Sequence, residues 1–279
     1  MGQFLNDRRE SVHRIIVIVL LTVIFTTIPM DSMKVYATQD EIMKASQTKP
    51  HQIISKSFFR DGKSDDGTVI LKCSLNYPQV KPQEEDPNLA NITKVNGEIK
   101  TQAIKVFSQK CNDAMDYTHE FLGQIHQGMM NRAWLPFVID ISYELTFNRN
   151  DLLSFTSTEF EWLGGAHPST ELRGAIYDLK QGKSIRPEDL LVLDEVGIKK
   201  FIADEVMKLY KKNPENYFPE EVKGLQNYDF EYGTYLNDDG FVFFLQPYIV
   251  APYVTGVVSV YLRYQDYPEL FRVEEAFRN

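Results

Sequence analysis

The chain has 279 residues, 43% of them hydrophobic and 25% charged, with a formal net charge of −9. That apolar content can build a real core and excludes a disordered chain, and two cysteines exclude a disulfide-dominated scaffold. The acidic balance disfavours nucleic acid and anionic membrane and would steer a basic partner inward, while also serving plain solubility.

Arg8, Arg9 and Arg14 precede an uncharged apolar run, Ile15 to Ile28. At about 1.5 Å per residue this run reaches roughly 21 Å as a helix, short of the roughly 30 Å membrane core. Val35-Tyr36-Ala37 puts small residues at the two positions a signal peptidase reads. Residues 1–37 are therefore expected to be a secretory signal peptide cut after Ala37, with an uncleaved anchor as the alternative. Membrane attachment follows only in the second case. Either way, residues 38 onward are expected outside the cytoplasm, secreted or at the cell envelope.

Residues 38–57 are polar without periodicity and read as a linker, after which Phe58-Phe59 can open the fold. Asp65-Asp66-Gly67 reads as a turn and Thr68 to Tyr77 as a strand. Pro78, Pro82 and Pro87 mark an exposed loop. From Asn91 to Gln127 apolar residues recur at spacings of three and four, which predicts a long helix capped by Asn91 and ended at Gly128. Phe137 to Phe147 alternates with period two. Asn148 to Asp151 turns the chain, and Leu152 to Trp162 returns as the partner of a hairpin. A further strand is predicted over Leu172 to Leu179. Pro187 suits the first position of a short helical turn, and Asp194 caps a helix that runs to about Lys212. A strand at Glu231 to Leu236 meets the turn Asn237 to Gly240. Phe241 to Gln246, apolar on both faces, reads as a central strand, and Thr255 to Leu262 as the last one. The order describes an α+β fold of antiparallel sheets with helices packed on one face.

Cys73 falls on the apolar side of the first strand and Cys111 on the apolar side of the long helix. An even count in an oxidising compartment suggests one disulfide between them, and two buried free thiols is the competing reading. No metal centre is expected: His119 and His126 lie two helical turns apart, about 10 Å, too far to share one ion. No cofactor is expected either, since phosphate-loop, Cys-x-x-Cys and lipase-type serine motifs are absent.

Four markers remain, in order. They are Gly164-Gly165-Ala166-His167-Pro168, then Tyr177 to Lys183, then Tyr235 to Phe241, then Pro247 to Tyr253. With Leu75-Asn76-Tyr77-Pro78-Gln79 ahead of the long helix, they make residues from about Thr68 to Phe271 resemble the extracytoplasmic region of RsiV-type anti-sigma factors. A similar pair of modules precedes the catalytic domain of PdaC-like peptidoglycan deacetylases and occurs in stand-alone secreted proteins. The resemblance implies two consecutive α+β modules, here 58–163 and 164–279, and a binding role. In the RsiV group the module binds lysozyme and covers its active site. The residues ahead of the apolar run are expected to be too few for a cytoplasmic sigma-binding segment, and no deacetylase domain is expected after residue 279. No lysozyme-contact residue is carried over.

The expectation is a non-enzymatic secreted or envelope-associated binding protein. Its partner would be a lysozyme-like muramidase, with peptidoglycan as the second candidate. The contact residues would be Gly164, Gly165, His167, Pro168, Tyr248, Pro252 and Tyr253, because tyrosine joins a large apolar area to one polar handle. The competing classes are a cell-wall glycan or peptide hydrolase, or a deacetylase-type enzyme, using His167, and a structural envelope domain. A purely structural role for the glycines and His167 also stays open: the glycines permit a sharp strand exit, and Pro168 holds His167 extended.

Overall fold

The computed structural model describes residues 50–127 and 132–272, all within one compact unit. The signal peptide expected over residues 1–37 lies outside the described residues, as does the linker expected over 38–57 as far as residue 49; residues 53–57 of that stretch are paired strand instead. Two long antiparallel strands come first, β1 (Ile53–Lys63) and β2 (Val69–Val80). Helix α1 (Leu89–His126) follows, then β3 (Phe137–Arg149), β4 (Leu152–Trp162), β5 (Ser169–Asp178) and the two-residue β6 (Lys183–Ser184). These six strands form one sheet in the order β1-β2-β3-β4-β5-β6. Every neighbouring pair is antiparallel except β2–β3, which is parallel. A parallel pair needs a crossover of a dozen or more residues, and α1 supplies it.

Helix α1 lays its apolar stripe on one face of this sheet. Ile92, Val95, Ile99, Phe107, Ala114 and Phe121 meet Leu71, Leu75, Ile139, Ile141, Leu153 and Phe155 in one core. Asn96, buried within that contact, donates from Nδ2 to Val80 O and accepts at Oδ1 from Val80 N, both near 2.9 Å. The end of β2 is thereby clamped to the helix without an unpaired polar group. Asn91 does not cap the helix, which starts two residues earlier. Instead it donates to Lys180 O at 2.6 Å and ties the first turn of α1 to the β5–β6 turn.

The second half contains α2 (Pro187–Leu190), α3 (Glu195–Lys212), α4 (Pro219–Gly224) and a three-stranded antiparallel sheet. Its strands are β7 (Gly233–Asn237), β8 (Gly240–Leu245) and β9 (Val258–Arg263). Asp194 caps α3 by accepting from Gly197 N at 2.8 Å, and Pro187 opens α2, as their side chains dictate. Strand β8 is central and buried at every position, consistent with its two apolar faces. Ile198, Ile202 and Val206 of α3 pack with Phe241, Phe243 and Leu245 of β8 in a second core.

The two sheets meet where β7 passes over β4 and β5. Gly174 has no room for a Cβ, which would overlap the Thr234 carbonyl. Ser154, fully buried, accepts from Leu236 N at 3.0 Å and donates to Ala175 O at 2.9 Å. Phe147, Leu152 and Ile176, from the first sheet, belong to the second core. The six-stranded sheet continues to residue 184, so β4 and β5, on either side of the 163/164 boundary, are hydrogen-bonded neighbours.

Three differences from the sequence reading have physical causes. Strand β1 shows no alternation because seven consecutive residues of it are exposed, Phe59 among them. The parallel β2–β3 pairing leaves no trace in either strand's own pattern. The expected disulfide is corrected: Cys73 and Cys111 face each other as buried free thiols, not at bonding distance. The contact with Cys73 and then burial push the Cys111 thiol well above its ordinary range.

Candidate functional site

The β4–β5 connection reverses within a few residues because Gly164 and Gly165 adopt φ of +85° and +96°, a region open to glycine. Gly164 also lies under the indole of Trp134, where a Cβ would stand 2.6 Å from a ring carbon. Trp134 stacks on Phe121 near the end of α1, with ring centroids 6.0 Å apart. The loop is thus fastened to the helix-side core.

This fastening presents His167 outward. Its Nδ1 donates to Pro168 O at 2.8 Å, which leaves Nε2 of a neutral ring as an acceptor, 3.5 Å from Tyr248 Oη. The ring stacks on Tyr253 with centroids 4.3 Å apart and planes 17° off parallel. Tyr248 and Tyr253 are themselves stacked at 6.1 Å. Tyr253 Oη lies 3.4 Å from Thr170 Oγ1 on β5. Tyr248 holds a left-handed φ of +71°, kept by its amide donating to Ala251 O at 2.9 Å. Pro252 starts the 3-10 turn Tyr253–Thr255. Gln246, just before this loop, bonds both the N–H and the carbonyl of Leu172 and holds the loop against β5.

All seven residues singled out from the sequence therefore converge. Gly164 and Gly165 shape the first loop, Pro168 and Pro252 fix its exit and the start of the second turn, and His167, Tyr248 and Tyr253 make a ring stack. The sequence reading missed Trp134, which supports the first loop, and Val254, which is 91% exposed at the tip of the second. Tyr248 and Ile249 are also exposed. No period marks Trp134 or Val254, and only their position beside the two motifs could have drawn attention to them.

The stack is an aromatic cluster held between two loops. Among the described residues, both His167 ring nitrogens are taken up by Pro168 and Tyr248, and no carboxylate is bound to the ring. Glu159 and Glu171, the neighbouring acids in sequence, are both engaged by Arg173. Burial opposes the Arg173 charge, but the two carboxylates outweigh it and raise its pKa. Among the described residues no group of three His, Cys, Asp or Glu side chains could hold a metal ion, and no helix is long and apolar enough to cross a membrane. The His126 side chain lies outside the described residues.

Residues 64–170 match the family described as Deacetylase PdaC, and residues 188–265 match a protein family of unknown function, DUF3298. No curated protein matches the chain. A DUF3298 family member from Bacteroides fragilis shares the fold at a TM-score of 0.56 and 15% identity, over 80% of this chain and 94% of that one. A DUF3298 protein from Pseudomonas aeruginosa does so at a TM-score of 0.52 and 10% identity, over 81% of this chain and 97% of that one. At such identity the likeness speaks for the fold. Each family model thus matches its own stretch of the chain, and the two solved structures share its fold.

Proposed function

We propose that this is an extracytoplasmic, envelope-associated binding protein of the RsiV-like kind, and that its ring stack docks on a lysozyme-like muramidase and covers its active site. The observation that carries the reading is the convergence of exposed His167 and Tyr248 with half-buried Tyr253 in one ring stack. Stacked aromatic rings lose little entropy when they bind and offer large apolar area, the features of an interface anchor. Exposed Val254 and Ile249 extend the apolar surface beside the rings. The net charge of −9 favours encounter with a basic partner. The PdaC and DUF3298 matches fit a domain that works outside the cytoplasm, which agrees with the signal peptide expected over residues 1–37.

Titration of the secreted chain with a muramidase, followed by calorimetry and by cell-wall lysis, tests the reading. Saturable binding with Kd of about 10 μM or tighter, inhibition of lysis, and an at least tenfold weakening by Tyr253→Ala are expected. Absence of binding at that concentration would remove the muramidase as partner.

A further inference from the structure

Among the described residues, β1 is a free edge of the six-stranded sheet. Its pairing with β2 decides which backbone groups face outward. Lys81 N donates to Gln52 O at 2.7 Å, and the register continues from that pair through Ile54 and Gln79, Lys56 and Tyr77, Phe58 and Leu75, and Arg60 and Cys73. In an antiparallel ladder every second residue bonds the same neighbour, so these even-numbered residues turn their amides and carbonyls to β2. Ser55, Ser57, Phe59 and Asp61 lie between them and turn theirs to the open side. Such a row of donors and acceptors is a template for another strand.

The middle of this edge is poorly guarded. Charged side chains on an edge deter pairing. Here Arg60 is turned back on the helix, where Nη1 donates to Asn112 Oδ1 at 2.7 Å. On the same face Phe58 stacks on Tyr77 with centroids 6.1 Å apart. On the other face Ser57 Oγ donates to Asn76 Oδ1 at 2.7 Å, and Phe59 is 76% exposed.

The strand's own sequence favours a second copy as the occupant. Two identical edges pair antiparallel about a two-fold axis normal to the sheet, and that axis passes beside one residue of each. An axis at Phe58 sets Lys56 opposite the partner's Arg60. An axis at Lys56, Arg60 or Asp61 sets that charge opposite itself, and one at Ser57 sets Asp61 against the partner's Ile53. An axis at Phe59 avoids all of these. Phe59 then meets the partner's Phe59, Phe58 meets the partner's Arg60, and Ser57 meets the partner's Asp61. The residues at this axis and on either side of it with outward amides, Phe59, Ser57 and Asp61, are also opposite one another, so their N–H and carbonyl groups pair.

We propose that β1 pairs antiparallel with β1 of a second copy about Phe59, joining the two six-stranded sheets into one. Strands β2, β3 and β4 separate this edge from β5, which the ring stack adjoins, so the dimer stands whether or not a muramidase binds there. A single strand pair is a small contact, which implies a weak, reversible dimer.

Sedimentation equilibrium of the exported chain, from about 1 to about 500 μM, is expected to show monomer and dimer exchanging with a Kd of about 100 μM or tighter. Ser57→Pro removes an outward N–H and leaves the ladder to β2 intact, while Phe59→Lys sets two like charges face to face. Each should weaken the dimer at least about tenfold while the circular dichroism stays native. If the proline variant does not fold, Phe59→Lys, at an exposed position, carries the test alone. Oxidation reads the register. Phe59→Cys places two Cα atoms about 5.5 Å apart across the axis, within disulfide range, and should cross-link two chains. Phe58→Cys places them about 7–8 Å apart on a diagonal, and should not. A monomer at the highest concentration, a dimer untouched by Phe59→Lys, or cross-linking through Phe58→Cys as efficient as through Phe59→Cys would overturn the proposal.

Discussion

The crossing of β7 over the first sheet and the ring stack beside it are built from opposite materials. At the crossing, Ser154 and Gly174 are small, and main-chain groups of β5 and β7 lie directly against them. At the stack, the rings of His167, Tyr248 and Tyr253 are large, partly or largely exposed, and joined by stacking and one long hydrogen bond. The clamp from Gln246 to Leu172 lies between the two in sequence on both segments, so the rigid region carries the surface proposed for binding. The contrast teaches where substitutions should act: at the crossing on stability, at the stack on binding.

The strongest way to break that contrast is Gly174→Val. The overlap with Thr234 forces the sheets apart, and a loss of more than about 3 kcal/mol, or failure to fold, is expected in chemical denaturation. High pH comes next and probes the helix-side core. Burial, and then the nearby Glu98, push the Tyr177 pKa up from 10.0 to about 12. The unfolded chain ionises at the lower value and the folded chain only at the higher one. Stability should therefore fall as pH rises through that interval, by about 2–3 kcal/mol, and Tyr177→Phe should flatten the decline.

Ser154→Ala leaves the Leu236 N–H without its acceptor in a buried place, and should cost about 1–2 kcal/mol by the same denaturation measurement. At the stack, Tyr253→Ala should move the unfolding midpoint little while weakening partner binding at least about tenfold. Smallest of all, Tyr248→Gly relieves a left-handed φ but loosens the unfolded chain, so stability should change by less than about 1 kcal/mol. A Tyr253→Ala protein that unfolds as readily as Gly174→Val would show that the stack is structural after all.

Much of the architecture is legible because burial imposes a local period. The β3–β4 hairpin, α1, α3 and central β8 each carry the pattern that their own neighbours demand. The ring stack is half legible in the same sense. Glycines before His167, and prolines around Tyr248 and Tyr253, announce unusual backbone, but nothing in the chain says that two loops about eighty residues apart meet in one stack.

What the sequence alone determined is the α+β class, the helical and strand periods, the caps at Asp194 and Pro187, and the residue types available for recognition. These are set by contacts within a few positions. Only the tertiary structure decided that β1 pairs at an exposed edge, that β2 and β3 run parallel, and that Cys73 and Cys111 face each other as thiols. It also decided that β7 crosses at Gly174. Each of these depends on distances between segments remote in sequence and on how side-chain volumes fill the space between them, and neither quantity is written in a local pattern.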